Sequence, residues 1–415
     1  MLCNKPRTIE TMKKCGIDVL IATSPLSVTY FSDYYSWLGP LFREYMATPG
    51  ASSDLGQYYV VLPAEGEPAL VLSPHLLVNA LDSWVTDLRT YGRFGFDGSF
   101  PPGELSEDIK RIYELTHADH AATTPTAALI GLLKERGWDR ARIGIEKEGL
   151  VESSKRELDQ KLTGADLRDC SNLIRLIRMV KTPEELARMT RAMEISEIAA
   201  MESFAMARPG ARMLELAQHY RRRIAEEGAN LDHYSWGING LGFATQTDHR
   251  LTDGEVFYAD WGCRYRQYLA DTGTTVALGE PGPEIMKRHE VLRECVRAAR
   301  GVIRPGARAT AVHATMCAVV QESGLTGTGP QGHGLGLEIR EYPVSAEPND
   351  LRIKDDCIDI GSDLPLERDM VFNLESAYFM PGVASVHIET SLVVTEDGCR
   401  PLAPHDRTGP VIVEA

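Results

Sequence analysis

The pentapeptide Arg208-Pro209-Gly210-Ala211-Arg212 returns unchanged as Arg304-Pro305-Gly306-Ala307-Arg308, an offset of 96 residues (304 − 208). Each copy follows one helical stretch and precedes another. The first pair of helices opens at Thr182-Pro183-Glu184-Glu185, a capping box with Thr182 at the N-cap, Pro183 at the first helical position and Glu185 two residues further on. That pair closes near Gly228. The second pair starts near Glu284 and closes near Gly324, again 96 residues on (324 − 228). The same turn, between the same kinds of helix and with the same stop glycine, predicts a duplicated half-domain. Each copy carries two helices followed by strands. A unit this long, present only twice, excludes a solenoid of short repeats.

Each half then reaches a pair of carboxylates. In the first, residues 256–260 read as a strand and 268–272 as its return, with the midpoint between Tyr265 and Arg266. This register sets Asp260 opposite Asp271, with Cβ atoms about 5 Å apart. In the second, residues 370–375 lead out and 387–392 lead back around Met380-Pro381-Gly382, so Glu375 faces Glu389. The duplication would bring both hairpins to one centre. Between them in the chain stands His333, flanked by Gly332 and Gly334, where the backbone is free to approach another group closely. Any one of these carboxylates alone reads as a solvated or capping residue, and His333 alone as structural. Four carboxylates converging in an apolar domain repel one another unless cations neutralise them. Four carboxylates and one imidazole suit two divalent metal ions, Mn, Co, Fe or Zn. Two such ions about 3.5–4 Å apart share a water, lower its pKa and polarise a substrate oxygen, which is chemistry that cleaves an amide-like bond.

The length of 415 residues predicts two domains. Ahead of the duplicated region, strands alternate with helices. The strand candidates are 19–22, 58–62, 69–72 and 143–146, and a helix near 129–136 is stopped by Gly137. The expectation is a smaller α/β domain over 1–175 and a larger catalytic domain over 176–415. The aromatic run Tyr30, Phe31, Tyr34, Tyr35 and Trp37 reads as core or interface, or as one wall of a substrate pocket. A formal net charge of −15 argues against a nucleic-acid partner, because phosphate binding needs a basic face. No apolar run approaches the roughly 18 residues of a membrane span. Residues 1–7 are not followed by an apolar signal core, so the cytoplasm is the default location. Eight scattered cysteines without a CxxC pair fit reduced thiols.

Asp260-Trp261-Gly262, Asp271, Gly332-His333-Gly334-Leu335-Gly336, Phe372-Asn373-Leu374-Glu375 and Ile388-Glu389 together resemble the pita-bread metallopeptidase family, over residues 180–405. That family includes methionine aminopeptidase, Xaa-Pro aminopeptidase and dipeptidase, and creatinase. The stretch Gly16-Ile17-Asp18-Val19-Leu20-Ile21 with Tyr30-Phe31-Ser32 is similar to the creatinase-type N-terminal domain. The resemblance implies an α+β fold, with a duplicated pita-bread C-terminal domain behind that smaller domain. It implies that Asp260 chelates one metal, that Asp271 and Glu389 bridge, and that His333 and Glu375 hold the other. It further implies a general acid/base role for Glu375 and a homodimer. Two features depart from the family pattern. Arg340 stands where peptidases carry a second histidine, seven residues after His333, while Glu341 and Pro343 are present. The stretch from Gly237-Ile238-Asn239 to Thr247 holds no histidine where they carry another. Arg340 can bind an oxyanion or a carboxylate but cannot shuttle a proton at neutral pH. His387, on the strand face of Glu389, leads His233 and His249 as a replacement.

The expected function is an Xaa-Pro-type peptidase, aminopeptidase or dipeptidase, that uses a metal-bridging hydroxide on a small peptide. A non-peptidase enzyme on the same scaffold stays open, acting on a small molecule as ectoine hydrolase or a lyase does. So does a binding protein with a dead site, although five intact ligands argue against it. Residues 346–366 read as an insertion in the second half, which accounts for the wider carboxylate spacing of 115 (375 − 260).

Overall fold

The computed structural model describes residues 1–36, 49–50, 56–92, 103, 106–117, 122–403 and 409–414. Trp37 lies outside them. The chain divides into two compact units: Met1–Arg178 with Arg352–Ile360, and Met179–Leu351 with Gly361–Ala415.

The first unit is built on a six-stranded mixed sheet. Its strands are β1 (Val19–Ala22), β2 (Tyr59–Pro63), β3 (Ala69–Leu72), β4 (Asp87–Thr90), β5 (Arg142–Ile145) and β6 (Asp166–Asp169), in the order β4-β3-β2-β1-β5-β6. Every residue of β1, β2 and β3 is buried, as continuous apolar runs require when both faces of a sheet are covered. The helices are α1 (Lys5–Cys15), α2 (Pro25–Ser32), α3 (Glu107–His117), α4 (Pro125–Glu135), α5 (Glu152–Lys161) and α6 (Ser171–Arg178). Helix α4 starts earlier than its apolar residues suggest, because Thr124 caps the amide of Ala127 and Pro125 sits in the first turn. The start of α2 is held by the buried Glu146, whose carboxylate accepts from the Thr23 and Ser24 amides and the Ser24 and Ser27 hydroxyls. Tyr30, Phe31 and Tyr34 are core, and Tyr35 is exposed. The excursion Arg352–Ile360 joins this unit through its acidic side chains. Asp356 accepts from the Asp169 amide at 2.7 Å, and Asp355 from the Leu173 amide at 2.8 Å.

The second unit repeats its own architecture. Helix α7 (Pro183–Phe204) begins with the full capping box of Thr182 and Glu185, and α8 (Met213–Glu226) follows. Strands β7 (Asn230–Ile238), β8 (Leu241–Ala244), β9 (Val256–Tyr265), β10 (Tyr268–Leu269) and β11 (Thr272–Leu278) complete the first half. The second half holds α9 (Pro283–Val302), α10 (Ala309–Ser323), β12 (Gln331–Gly334) and β13 (Glu341–Ser345); after the excursion into the first unit, which carries the small hairpin β14 (Arg352–Lys354) and β15 (Asp359–Gly361), it resumes with β16 (Val371–Met380), β17 (Ala384–Val394), β18 (Cys399–Pro401) and β19 (Val411–Val413). The duplication extends to single hydrogen bonds. Gly210 and Gly306 both take φ +86° in the two copies of the turn. Their amides donate to the Leu251 and Leu366 carbonyls, each at 2.8 Å. Leu366 lies 115 residues after Leu251, so the extra residues of the second half fall between α10 and Leu366.

One sheet runs across both halves in the order β13-β12-β16-β17-β11-β9-β7-β8. Its strands alternate. In β9, Phe257, Ala259, Trp261 and Cys263 turn to one face, and Tyr258, Asp260 and Gly262 to the other. Trp261 packs edge-on against Phe204 of α7, with Trp236, Tyr234 and Tyr220 beside it. In the second half, Val386, Ile388 and Tyr378 pack with Leu292 and Val296 of α9. Burying each of these large side chains contributes about 1.5–3 kcal/mol. The helices thus cover one face, and the opposite face carries the acidic residues.

Candidate metal centre

The two hairpins are not built alike. In the second, Glu375 pairs directly with Glu389 around the Pro381-Gly382 turn, as the sequence midpoint places them. In the first, Asp260 pairs with Gly273 rather than with Asp271. The turn is Arg266-Gln267, whose φ values of +45° and +76° give the left-handed geometry of a two-residue hairpin without a glycine or asparagine. The register is therefore two residues away from the expected one. A shift of two preserves the side-chain face, where a shift of one would have turned Asp271 into the helix layer. Asp260 and Asp271 end as diagonal neighbours on one face. The positions opposite them are Gly273 and Gly262. A Cβ on Gly273 would lie 2.3 Å from the His387 ring, and one on Gly262 2.6 Å from the His233 ring. Both glycines make room for an imidazole.

All five expected ligand side chains come together. His333 Nε2 is 3.6 Å from Asp271 Oδ2 and 3.8 Å from Glu375 Oε1. Its Nδ1 donates to the Gly334 carbonyl at 3.0 Å, because a carbonyl only accepts. The Nε2 lone pair therefore faces the carboxylates. Gly334 itself is required: a Cβ there would sit 2.3 Å from the Tyr342 carbonyl oxygen. Across the joint between the halves, β11 and β17 share the single backbone pair Gly273 and Glu389. Hydroxyls close the rest of that joint. Thr272 donates to the Glu389 carbonyl at 3.1 Å and Ser391 to the Asp271 carbonyl at 2.9 Å.

The acids are held in different states. Burial works to raise Asp260, yet the hydrogen bond and charge of His233, with His387 and the Tyr258 hydroxyl, bring it down to about 2. Burial and the charge of Asp260 push Asp271 up to about 7. Burial and the charges of Asp271, Asp260 and Glu375 raise Glu389 well above the usual carboxylate range. Glu375 is raised by burial, against the nearby Arg340 guanidinium. Burial lowers His333 and His387 to about 4, so both rings are neutral near pH 7.

Arg340 is half exposed and donates through Nη2 to Glu375 Oε1 at 2.6 Å and through Nη1 to Gln331 at 3.3 Å. His387 lies buried against the Tyr258 ring, with centroids 4.1 Å apart, and its Nε2 is 3.9 Å from Glu389 Oε2. His233 reaches Asp260 Oδ1 at 2.7 Å. His249 is elsewhere, paired to Glu255 at 2.6 Å. The stretch after Gly237 forms the β7–β8 hairpin around Asn239-Gly240 and presents an exposed Phe243, which stacks on Tyr258. Sequence reasoning gave no role to Asn373. Its amide donates to Asp271 Oδ2 at 3.1 Å and to Glu389 Oε1 at 2.6 Å, linking one carboxylate from each half. The visible signal was its place two residues before Glu375, hence on the same face. Glu341 also has a role: its carboxylate binds the Leu337 and Glu338 amides and forms a buried ion pair with Lys181. It thereby shapes the loop that leads to Arg340.

The donor set fits divalent metal. Glu389 Oε2 is buried without a hydrogen-bond partner, a costly state for a carboxylate oxygen that a cation would relieve. Among the described residues, two groups have their ligand atoms close enough to share an ion: His233, Asp260 and Asp271, and Asp271, His333 and Glu389. Neutral imidazole and carboxylate oxygens are the usual ligands of borderline divalent ions.

A duplicated α+β sheet with this donor set at its centre defines a metal-dependent hydrolase. Residues 179–396 match the model of metallopeptidase family M24, and residues 6–180 match that of the creatinase/prolidase N-terminal domain. The chain belongs to metallopeptidase family M24, the pita-bread family. It is 26% identical over 286 residues to an Xaa-Pro dipeptidase of Lactobacillus delbrueckii subsp. lactis, which covers 67% of this chain and 74% of that protein. It is 24% identical to an Xaa-Pro dipeptidase of Pyrococcus furiosus over 97% of both chains. The fold is similar to that of an X-Pro aminopeptidase from Thermotoga maritima, with a TM-score of 0.73 and 20% identity over 97% of this chain and 100% of that one. Among the described residues, no helix is long and apolar enough to cross a membrane.

Proposed function

We propose that the protein is an Xaa-Pro-type peptidase, a dipeptidase or aminopeptidase, that works with a pair of divalent ions on small peptides. The observation that carries this reading is the convergence of carboxylates from both halves, with His333, on one buried cluster. The Xaa-Pro dipeptidase names of its relatives support the substrate class. Asp260, Asp271, His333, Glu375 and Glu389 would hold the ions, with Asp271 and Glu389 as the carboxylates shared by the two halves. When bound, the ions supply an acidified water and a Lewis acid for the scissile carbonyl.

The chain's own groups do the rest. His333, with its Nδ1 proton fixed on Gly334, presents a basic nitrogen. Asn373 orients Asp271 and Glu389. Glu375 carries the proton from the attacking water to the departing nitrogen, its carboxyl raised toward neutrality by burial. Arg340, half exposed beside Glu375, binds the substrate carboxylate or the developing oxyanion. The buried His387 stacks on Tyr258 and stands 3.9 Å from Glu389, beside the carboxylates. One observation favours a second reading: with Arg340 in place of a histidine, the site also fits C–N hydrolysis of a small carboxylate-bearing molecule.

The test is a panel of Xaa-Pro dipeptides and longer Xaa-Pro peptides, assayed with Mn and with Co for released amino acid. Cleavage that chelator and Asp271→Asn both abolish supports the peptidase. Protein that holds about two ions yet cleaves nothing in the panel moves the assignment to the second reading. Full activity in Asp271→Asn overturns the centre itself.

A further inference from the structure

Six strands at the middle of the sheet run β12, β16, β17, β11, β9, β7. The acidic face presents His333 on β12, Glu375 on β16 and Glu389 on β17. It then presents Asp271 immediately before β11, Asp260 on β9 and His233 on β7. The series is a palindrome: imidazole, two carboxylates, two carboxylates, imidazole. The duplication supports the match of the outer strands. Ser235 on β7 pairs with Asp260, and Gln331 on β12 pairs with Glu375. Gln331 follows Ser235 by 96 residues, the offset of the helices. Each outer strand thus offers one histidine to the carboxylates of its own half.

We propose that His233 is a sixth protein ligand, which completes the site of the ion held by Asp260 and Asp271. This rests on the two-ion reading above. His233 Nε2 lies 2.7 Å from Asp260 Oδ1 and 3.4 Å from Asp271 Oδ1. Two ligands each about 2.1 Å from one ion, at octahedral or tetrahedral angles, lie about 3.0–3.4 Å apart, which the Asp271 separation meets, while the shorter Asp260 distance is a hydrogen bond that would open slightly as an ion enters. The second nitrogen is fixed as metal-bound imidazoles usually are. Nδ1 donates to Asp232 Oδ2 at 2.9 Å, and Arg264 contacts the other Asp232 oxygen at 3.4 Å. With Nδ1 committed to Asp232, Nε2 faces Asp260 and Asp271; in the ion-free site its N–H donates to Asp260 Oδ1, and an entering cation would take the place of that proton. Gly262, opposite on β9, leaves the space the ring occupies. His233 and His333 then play equivalent parts, one for each ion. The absence of the two family histidines does not reduce the imidazole count at the metals.

The test is an anaerobic Co(II) titration of the full-length protein, following the visible absorption of bound cobalt, with His233→Ala and His233→Gln beside the wild type. Outer partners of a metal ligand shift affinity by about 10–100-fold, so loss of a ligand is expected to weaken one ion by at least about 100-fold. The expected result is two ions in the wild type. In both variants one of the two is weakened, with a changed cobalt spectrum, and free imidazole restores it in His233→Ala. Two ions bound with unchanged affinities and spectra in both variants overturn the proposal. An equal fall at both sites in both variants also overturns it, because it assigns His233 to the framework. Wild-type protein that takes up one ion at most refutes the two-ion reading, and the proposal with it.

Discussion

Asn373 is the sharpest place to perturb the centre without touching a ligand. Its side-chain amide is fully buried and donates to Asp271 and Glu389, one carboxylate from each half. Replacement by leucine keeps the volume and removes both donors. Each hydrogen bond to a charged group is worth about 1.5–3 kcal/mol, which sets about 3–6 kcal/mol as the ceiling for the ion-free protein. The real cost is lower near pH 7, because Asp271 stands at about 7 and burial with the neighbouring acids also raises Glu389 well above the usual carboxylate range, so both can take up protons when the amide goes. With ions present, loss of an orienting partner is expected to weaken binding about 10–100-fold, or about 1.4–2.7 kcal/mol. Because those protons must leave before an ion binds, the loss should be larger at pH 6 than at pH 8. Calorimetric titration with Mn at both pH values measures the affinity, and thermal melting with and without Mn measures the linked stability. Asn373→Leu protein that binds Mn within twofold of the wild type at both pH values would show that Asn373 does not orient the centre.

Arg340→Ala should raise KM for substrates with a free carboxylate far more than for their amides, and should move the acidic limb of the pH–rate profile upward, since Arg340 lowers Glu375. Equal KM effects on acid and amide would remove the clamp. His289 is buried with Nε2 unpartnered, and burial and Arg293 lower it to about 4. The unfolded chain therefore binds more protons between about 6.5 and 4, and stability falls as pH drops through that window, by up to roughly 3 kcal/mol. His289→Phe should flatten that acid loss in urea titrations at pH 7 and pH 4.5; an unchanged difference between the two pH values would refute the assignment. Lys181→Met leaves Glu341 charged and buried without its ammonium partner, and should cost about 3–5 kcal/mol of unfolding free energy. A melting temperature within a degree or two of the wild type would contradict that.

Much of the framework was legible because the chain states it twice. The repeated turn fixed both helix pairs, and Gly324 takes the left-handed C-cap that a stop glycine implies. The second hairpin was readable because Pro381-Gly382 announces its turn. The first was misplaced by two residues because Arg266 and Gln267 adopt left-handed geometry with side chains that carry no turn signal. Only the period-two alternation kept the reading on the right face. Local pattern gathered the carboxylates and His333, but Asn373 and Asp232 work through neighbours 16 to 102 residues away or through a ring on the adjacent residue, and composition carries no trace of that. The excursion Arg352–Ile360 was recognisable as extra sequence. Its membership of the first unit depends on hydrogen bonds to residues nearly 200 positions earlier.

The thin joint between β11 and β17 has a consequence for how the protein is made. Ligand side chains from the first half stand on one side of it and those from the second on the other, with one backbone pair between them. A nascent chain that has finished only its first half can offer an ion two aspartates and an imidazole, and nothing more. On the two-ion reading, the complete donor set exists only after β11 and β17 have paired, Gly273 with Glu389 across 116 residues (389 − 273), and pairings of such long range form slowly. Uptake of the full complement of metal would then report the docking of the two halves, and metal starvation would leave its mark first at that joint.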